Sequence, residues 1–269
     1  MRRSAIFGGL VLVVQALSAQ SAPPKAGLTP EEQTAALSAI REYSLHYSNA
    51  LPNFICTRSI KRVTSPVRTG YPMITGRPQT DLIEEQLSLA DRKEIHKISK
   101  INGKAPANED PSELGGMYSR GEFGFLLTFL FAPEANTEFR WQKAVIRGGR
   151  PMYAFSYHVP QASGYGITDG ERTFRVAVRG TVYADAETKA VMRIEMVGVD
   201  IPTNTYFRGM ELSLDYQATK VAGQQFILPS KNRIVMRRVE SEAIIESEYK
   251  NYRRFSSEAA IIFDEDAPQ

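Results

Sequence analysis

Apolar and polar residues alternate along most of the second half of the chain. In 151–159, 190–198 and 206–216, apolar side chains recur at every second position, and turn residues separate the segments. A period of two with one wet face is typical of antiparallel strands. We predict strands at 138–146, 151–159, 172–179, 181–185, 190–198, 206–216, 225–228, 231–239 and 242–250.

The first half of the chain adds a strand and a hairpin. Residues 54–63 alternate in the same way, and the segments 81–90 and 93–102 flank a short polar turn at Ala90-Asp91-Arg92. Asn102-Gly103 is a further strong turn signal. Together, the twelve segments predict a sheet of about ten strands.

Two capping boxes predict helices. Thr29 and Glu32 stand three residues apart around Pro30, and the helix that they open ends near residue 50. Its apolar stripe consists of Ala36, Ile40, Tyr43 and Tyr47. Ser119 and Glu122 form a second such pair before the apolar segment 123–131, which has apolar residues on nearly every side. We expect this second helix to fill the interior of a curved sheet, the alternative being contact with a membrane surface.

These elements predict an α+β fold. About ten strands and two or three helices occur without the strand–helix alternation of βαβ units. A flat sheet of this size would leave a large apolar face uncovered, whereas a curved one encloses the helices. We therefore expect a strongly curved antiparallel sheet, a half-open β-barrel, with the helices packed on or in its mouth. One domain is predicted over residues 28–263.

The N-terminus has the layout of a secretory signal peptide. Arg2 and Arg3 precede an apolar run, and small residues around Ala19 offer cleavage positions. The run is shorter than the roughly 20 residues of a membrane-spanning helix, although an uncleaved anchor stays an alternative. We predict a signal peptide at 1–19, a linker at 20–27 and an acidic tail at 264–269, in a periplasmic or secreted protein without a stable transmembrane span.

Composition narrows the function classes. The chain has 269 residues, of which 42% are hydrophobic and 23% charged, and it has a single cysteine. These values exclude a disordered polymer and a disulfide scaffold. The net charge of +3 falls when Arg2 and Arg3 leave with the signal peptide, so no nucleic-acid partner is expected. Cys56 is expected to be a small buried side chain, with a reactive thiol as the alternative.

One hairpin resembles a known family. The run GTVYADAETKAVMRIE (180–195) has an Asp-centred turn followed by an Arg-apolar-Glu step. It resembles the hairpin of periplasmic lipoprotein-carrier-like proteins, the group of the lipoprotein localisation factors. Leu228-Pro229 and the run EYKNYRRF (248–255) are similar to the closing strands of that group. Segments 51–57 and 121–124 are similar to uncharacterised exported proteins of soil bacteria.

The resemblance implies a half-open barrel whose apolar cavity is lidded by helices and shelters acyl chains. It implies no catalytic residues. The loop at 64–80 and the apolar helix are departures from the group's pattern, so lipoprotein transport itself does not follow.

No catalytic or metal-binding motif occurs. His46, His96 and His158 lack the spacing of a zinc site, and no Gly-x-Ser-x-Gly elbow is present. We therefore predict no metal, no cofactor and no enzymatic activity. The paired glutamates at 84–85 and 240–242 are interpreted as solvent-facing residues. A hydrolase stays an alternative that would need His96 or His158 to meet an acid in a cleft.

Arginines cluster near the C-terminal strands, at Arg233, Arg237, Arg238, Arg253 and Arg254. The cluster is expected to be a solvated face balanced by the glutamates between 240 and 248, although it could meet lipid phosphates or an acidic partner.

The apolar side chains of the predicted strands and of the second helix give the leading functional hypothesis. Met and aromatic side chains adapt to flexible ligands. The residues expected to line a cavity are Phe125, Phe129, Tyr153, Phe155, Tyr157, Phe174, Met192, Ile194, Met196, Tyr206 and Met210. We predict a non-enzymatic module that binds a lipid or another apolar ligand, such as an acyl chain. The alternative is a structural or interaction subunit of the cell envelope, with a filled barrel and an envelope protein as its partner.

Overall fold

The computed structural model describes residues 27–67, 77–169 and 172–254. The predicted signal peptide, the linker up to residue 26 and the acidic tail lie outside the described residues. Within them, eleven strands form one antiparallel sheet. The strands are β1 (Phe54–Pro66), β2 (Gln79–Ala90), β3 (Lys93–Ile101), β4 (Glu138–Arg147), β5 (Arg150–Val159), β6 (Tyr165–Asp169), β7 (Arg172–Asp185), β8 (Val191–Val199), β9 (Phe207–Val221), β10 (Gln224–Arg238) and β11 (Ser241–Arg254).

The strand order is β3-β2-β1-β11-β10-β9-β8-β7-β5-β4, and β6 pairs with β7 beyond the end of β5. Most neighbours are consecutive hairpins. There are two exceptions: β5 pairs with β7, and β1 pairs with the last strand, β11, which attaches the β1–β3 meander to the rest of the sheet. In the part of the chain that the structure describes, β3 and β4 are the free edges of an open sheet. The predicted α+β class with a half-open antiparallel sheet is confirmed.

Helix α1 (Pro30–Ala50) begins where its capping box predicts. The Thr29 hydroxyl accepts from the Glu32 amide at 3.3 Å, and the Glu32 carboxylate accepts from the Thr29 amide at 2.8 Å. Ala36, Ile40 and Tyr47 are buried as expected, and the Tyr47 hydroxyl donates to the Ile227 carbonyl at 2.9 Å. Among the described residues, no helix is both long and apolar enough to cross a membrane.

Helix α2 (Phe125–Phe131) begins later than predicted, and the second capping box is wrong. Gly124 is its N-cap and offers no side chain, while Ser119 donates instead to the Glu122 carboxylate at 2.7 Å. The helix packs against α1, and its buried side chains are Leu126, Leu127, Leu130 and Phe131. Phe125 is 51% exposed, so α2 contributes to the core but leaves one aromatic ring at the surface.

Two pairs of predicted strands are in fact single strands. Gly180 separates 172–179 from 181–185 in sequence, but it lies within β7, where a Cβ would come 1.8 Å from the Glu195 carbonyl oxygen. The missing side chain lets the Tyr157 hydroxyl cross β7 and donate to that oxygen at 2.9 Å. The second pair is 225–228 and 231–239, which are joined in β10. Pro229 lies between them at a register shift, which is where a sheet tolerates proline. The short strand β6 was not predicted.

The main core lies between the concave face of the sheet and the two helices. It includes Ile40 of α1, Leu127 and Leu130 of α2, and Ile194 and Leu214 of the sheet. A second cluster at one end of the sheet holds Phe54, Leu87, Phe123 and Cys56. The buried cysteine is confirmed, and burial raises the pKa of its thiol to about 12.

Candidate functional site

A network of charged side chains lies inside the sheet beneath the segment that leads into α2. It consists of Arg58, Glu85, Glu94, His96, Tyr118, Ser119 and Glu122, and we call it the buried polar network. Strands β1, β2 and β3 supply the first four residues, and the segment before α2 supplies the others. Buried charges require partners for every donor and acceptor, so the contacts of each member define what the network can do.

Arg58 stands at the centre of the network. It takes an inward position on β1, opposite Glu85 of β2 in the register, and it is fully buried. Its guanidinium lies 3.4 Å from the Glu85 carboxylate and 3.2 Å from that of Glu122. It also donates to the hydroxyls of Ser119 and Ser247 and to the Ser119 carbonyl at 3.0 Å. The planar guanidinium holds its N–H donors in a rigid arrangement, which suits a site with this many acceptors.

His96 lies between two carboxylates. Its Nδ1 is 3.1 Å from Glu85 Oε1 and its Nε2 is 3.2 Å from Glu94 Oε2. Burial by itself lowers the pKa of the imidazole, but the hydrogen bonds to Glu85 and Glu94 raise it to about 9. The Tyr118 hydroxyl donates to the other oxygen of Glu85. The interpretation of Glu85 as a solvent-facing residue is therefore wrong, whereas Glu84 does face outward and pairs with Lys100.

Glu94 ties the segment before α2 to the sheet. Its two carboxylate oxygens accept from the backbone amides of Gly121 at 2.9 Å and Phe123 at 3.1 Å. Burial raises the pKa of Glu94, but the His96 contact and these two amides bring it below its usual value. The charged residues of the network thus position residues 119–124 against β3.

The network brings a histidine and acids together, as the hydrolase alternative requires, but in an unsuitable arrangement. The His96 side chain is 4% exposed, and carboxylates hold both of its ring nitrogens. A protonated imidazole with two carboxylate partners has no lone pair with which to accept a proton from a nucleophile. In the described part of the chain, no group of three or more His, Cys, Asp or Glu side chains could hold a metal ion.

A cavity of about 350 Å³ with a mixed lining opens beside the network, and we call it the outer cavity. Strands β6, β9, β10 and β11 and the segment 116–120 surround it. Its apolar wall consists of Met117, Ile167, Phe207, Met210, Leu212, Ile234, Met236 and Ala243. Polar residues also line it: Tyr118, Ser119 and Arg120 connect the wall to the network, and Thr64, Thr168, Arg238 and Ser241 contribute from the strands.

A smaller inner cavity of about 20 Å³ adjoins the outer one. The two share Ser119, Arg120, Tyr165, Leu212 and Ile234 as lining residues. Glu122 and Asn232 line only the inner cavity.

The Asn232 amide donates to Glu122 Oε1 at 2.9 Å and to the Tyr249 hydroxyl at 3.2 Å. Glu122 Oε2 and Asn232 Oδ1 are both buried, and neither has a hydrogen-bond partner within the described residues. The inner cavity thus borders two side chains that each keep one acceptor unsatisfied.

The structure places three of the predicted lining residues at or next to the outer cavity. Met210 lines the outer cavity, and Phe174 packs on Phe207 of its wall with ring centroids 5.1 Å apart. Phe129 is half-buried and contacts Tyr165, which also lines the cavity.

The other predicted lining residues lie elsewhere. Those in the main core are Phe155, Tyr157, Ile194 and Met196. Tyr153 packs on Trp141, and Met192 belongs to a small separate cluster with Met152. Tyr206 is 73% exposed and Phe125 51%.

Sequence reasoning missed the wall formed by Leu212, Ile234 and Met236 and the network itself. One signal was available: Arg58 and Glu85 occupy inward positions of strands on which inward neighbours such as Cys56, Ile60, Ile83 and Leu87 are apolar. A charge on the buried face of a strand indicates a partner across the sheet.

Two of the C-terminal arginines are balanced by glutamates as expected. Arg237 pairs with Glu242 at 2.9 Å and Glu211 at 2.6 Å, and Arg233 lies 3.6 Å from Glu246. Arg238 lines the outer cavity and lies over the Phe207 ring.

Comparisons with known proteins found only solved structures of low sequence similarity. No protein-family model matches the chain, and no curated protein matches it. Three similar solved structures are a LolA superfamily protein from Nitrosomonas europaea, a DUF1329 family protein from Desulfovibrio piger and a putative outer membrane lipoprotein-sorting protein domain from Vibrio parahaemolyticus.

The similarity extends over most of each chain. The Nitrosomonas protein is 10% identical, with 81% of this chain and 93% of that one covered and a TM-score of 0.35. The Desulfovibrio protein is 9% identical, with 82% and 94% covered and a TM-score of 0.35. The Vibrio domain is 8% identical, with 82% and 94% covered and a TM-score of 0.38. One of the three is described as a LolA superfamily protein, and at these TM-scores the similarity carries no argument about this chain's ligand or residue roles.

Proposed function

We propose that the chain is an exported, non-enzymatic module that binds a lipid or another apolar ligand in its half-barrel. The outer cavity carries this proposal, because a volume of about 350 Å³ falls in the range of roughly 300–1,000 Å³ that is typical of small-molecule sites. Each methylene of an acyl chain buried there would contribute about 0.8 kcal/mol. The signal-peptide layout of residues 1–19 supports a periplasmic or secreted location.

The wall composition supports an apolar and flexible occupant. Met117, Met210 and Met236 line the outer cavity together with Phe207. Methionine side chains repack around ligands of irregular shape at little cost. Most of the predicted lining residues lie in the packed core or at the surface, so we propose that the ligand contacts Met210 and this wall rather than the full concave face.

Native mass spectrometry of the mature protein from an envelope fraction, followed by lipid extraction, tests the proposal. We expect co-purifying lipid or acyl species in the wild type and their loss in Met236→Lys. Met236 is half-buried, and a lysine there can keep its stem on the wall while its ammonium reaches the mouth. Ile146→Lys is the control, because Ile146 is exposed on β4 and does not line the cavity.

Two results would contradict the proposal. A protein without lipid, under conditions in which a known carrier retains its cargo, would favour the interaction subunit with a filled barrel. Equal lipid retention in Met236→Lys and Ile146→Lys would place the ligand outside the outer cavity.

A further inference from the structure

The inner cavity has an unusual chemical character for the end of a pocket with an apolar wall. Its two unsatisfied atoms, Glu122 Oε2 and Asn232 Oδ1, are both acceptors. The Glu122 and Asn232 side chains are buried, so bulk water does not solvate these oxygens. A buried acceptor without a donor costs about 1–3 kcal/mol. The inner cavity is therefore suited to a group that brings hydrogen-bond donors and no acceptors.

The surrounding charges favour the same kind of group. The buried polar network contains two cations, Arg58 and the protonated His96, and three carboxylates, Glu85, Glu94 and Glu122. One negative charge is therefore left without a cation inside the network. Of the three carboxylates, Glu122 is the one that lines the inner cavity.

Arg120 also lines both cavities, but its guanidinium is directed outward. It lies over the Tyr118 ring at 5.6 Å and 3.9 Å from the Asp110 carboxylate, and its side chain is 54% exposed. Arg120 therefore does not neutralise the excess negative charge of the network, to which Glu122 contributes although it also pairs with Arg58. This charge stays available to a cation that enters from the outer cavity.

We propose that the preferred ligand is an amphiphile whose primary ammonium group occupies the inner cavity between Glu122 and Asn232 while its apolar chain occupies the outer cavity. This inference rests on the proposed function, because it names the head group of the ligand bound at that site. The inner cavity of about 20 Å³ has room for a group of the size of a water molecule or an ammonium. A quaternary ammonium is larger and has no N–H donors.

A series of probes with one alkyl chain and different head groups tests the inference on the wild-type protein. Octylamine, octyltrimethylammonium, octanol and octanoate are titrated calorimetrically at neutral pH. We expect octylamine to bind at least about tenfold more tightly than octanol, which is the size of effect that one hydrogen bond to a charged group gives. The quaternary ammonium and the carboxylate should bind no more tightly than octanol. Dihexanoyl phosphatidylethanolamine in the same assay distinguishes a lipid head group from a simple amine as the source of the ammonium.

Two isosteric variants locate the effect. Glu122→Gln replaces the unsatisfied acceptor with a donor and should remove the preference for octylamine over octanol. Glu84→Gln makes the same charge change, but Glu84 is exposed on β2, pairs with Lys100 and lines neither cavity, so the preference should persist. If Glu122→Gln does not fold, the comparison of primary with quaternary ammonium in the wild type still tests the ammonium site.

The outcomes separate this inference from the proposed function. Equal binding of octylamine and octanol, both weakened by Met236→Lys, would overturn the ammonium site and leave the outer cavity in place. Equal binding of primary and quaternary ammonium would also overturn it, because charge alone would then explain the affinity. If no probe binds, the proposed function fails and the inference fails with it.

Discussion

Arg58 carries a charge at a position where the strand pattern calls for an apolar residue. Its cost of burial is offset by two carboxylates, two hydroxyls and a backbone carbonyl. The ring of Tyr118 lies 5.4 Å from the guanidinium carbon and provides a further favourable contact. Removing one member of such a group leaves its partners buried and unpaired. The free-energy cost of these unpaired groups exceeds the stability that the intact pair contributes.

We expect Arg58→Met to lower the free energy of unfolding by about 3–5 kcal/mol, because Glu85 and Glu122 would lose their shared cation. Arg233→Met is the matched control, since Arg233 is half-exposed and lies 3.6 Å from Glu246. Its loss should be below about 1 kcal/mol. Urea denaturation measures both values. Equal losses in the two variants would mean that the buried charge is not structurally important.

His96 should make stability depend on pH above neutrality. Its pKa is raised from 6.5 to about 9 in the folded protein. The stabilisation is therefore complete below about pH 6.5, where the histidine is protonated in both states, and it is lost as the pH rises to about 9. We expect the free energy of unfolding to fall across that window. In His96→Gln the protein should be less stable at pH 6 and its stability nearly constant over the same range.

His46→Gln is the control for this experiment, because His46 is an exposed residue of α1 whose ring contacts the Glu42 carbonyl. It should reproduce the wild-type pH dependence. A wild-type stability that stays constant between pH 6.5 and 9 would show that His96 is not held in its charged form.

The residue scale is also where sequence reasoning was least informative. Cys56 could be assigned correctly, because a small side chain at an inward strand position needs only apolar neighbours. Glu85 was not assigned correctly, because its inward position indicates a partner across the sheet but does not show that Arg58 and His96, on two other strands, are the partners. The cavity wall was missed because Leu212 and Ile234 have the same alternation whether they face packed side chains or open space.

At the scale of elements, helices α1 and α2 approach each other closely at Gly124. This residue has φ +138°, and a Cβ built on it would lie 1.8 Å from the Ser48 hydroxyl oxygen of α1. The Ser48 hydroxyl in turn donates to the Phe123 carbonyl at 3.3 Å. Glycine is therefore required twice, by the backbone conformation and by the space between the helices.

We expect Gly124→Ala to destabilise the fold by about 3 kcal/mol or more, because backbone strain and crowding add. Gly149→Ala is the matched control. Gly149 also has a positive φ, +75°, but a Cβ added there would have no atom within 4 Å, so only a strain of about 1–2 kcal/mol applies. Thermal unfolding followed by circular dichroism compares the two. A smaller loss for Gly124→Ala than for Gly149→Ala would rule out close packing of the helices as the constraint.

Most elements could be predicted from their periodicity, and the exceptions have specific causes. Thr29 and Glu32 form the expected capping box because only local geometry is needed. Ser119 and Glu122 have the same spacing, but Arg58 offers them a stronger, charged partner, so they do not cap α2. Strand β7 was divided at Gly180 because a glycine that accommodates Tyr157 has the same appearance in sequence as a turn.

At the scale of the whole molecule, the open sheet leaves its two edges in different states. At the β3 edge, the Ile98 amide donates to the Glu109 carbonyl at 2.8 Å and Ile101 bridges to Lys104. The segment after β3 therefore covers part of that edge. Strand β4 pairs only with β5 among the described residues, and its outer edge has no such cover. Exposed edges of this kind promote pairing between molecules unless charges oppose it.

The basic residues of β4 fit the role of keeping its edge unpaired. Arg140 and Lys143 are exposed on a strand that also carries Phe139, Trp141 and the exposed Ile146. We expect the double substitution Arg140→Val with Lys143→Val to cause self-association, because it leaves an uncharged, strongly β-prone segment at a free edge. Size-exclusion chromatography with light scattering measures this as a concentration-dependent rise in mass.

Lys231→Val with Arg233→Val is the control. It removes the same charge from β10, which is already paired with a strand on each side, and should leave the protein monodisperse. If both double variants associate equally, loss of surface charge rather than the open edge is responsible.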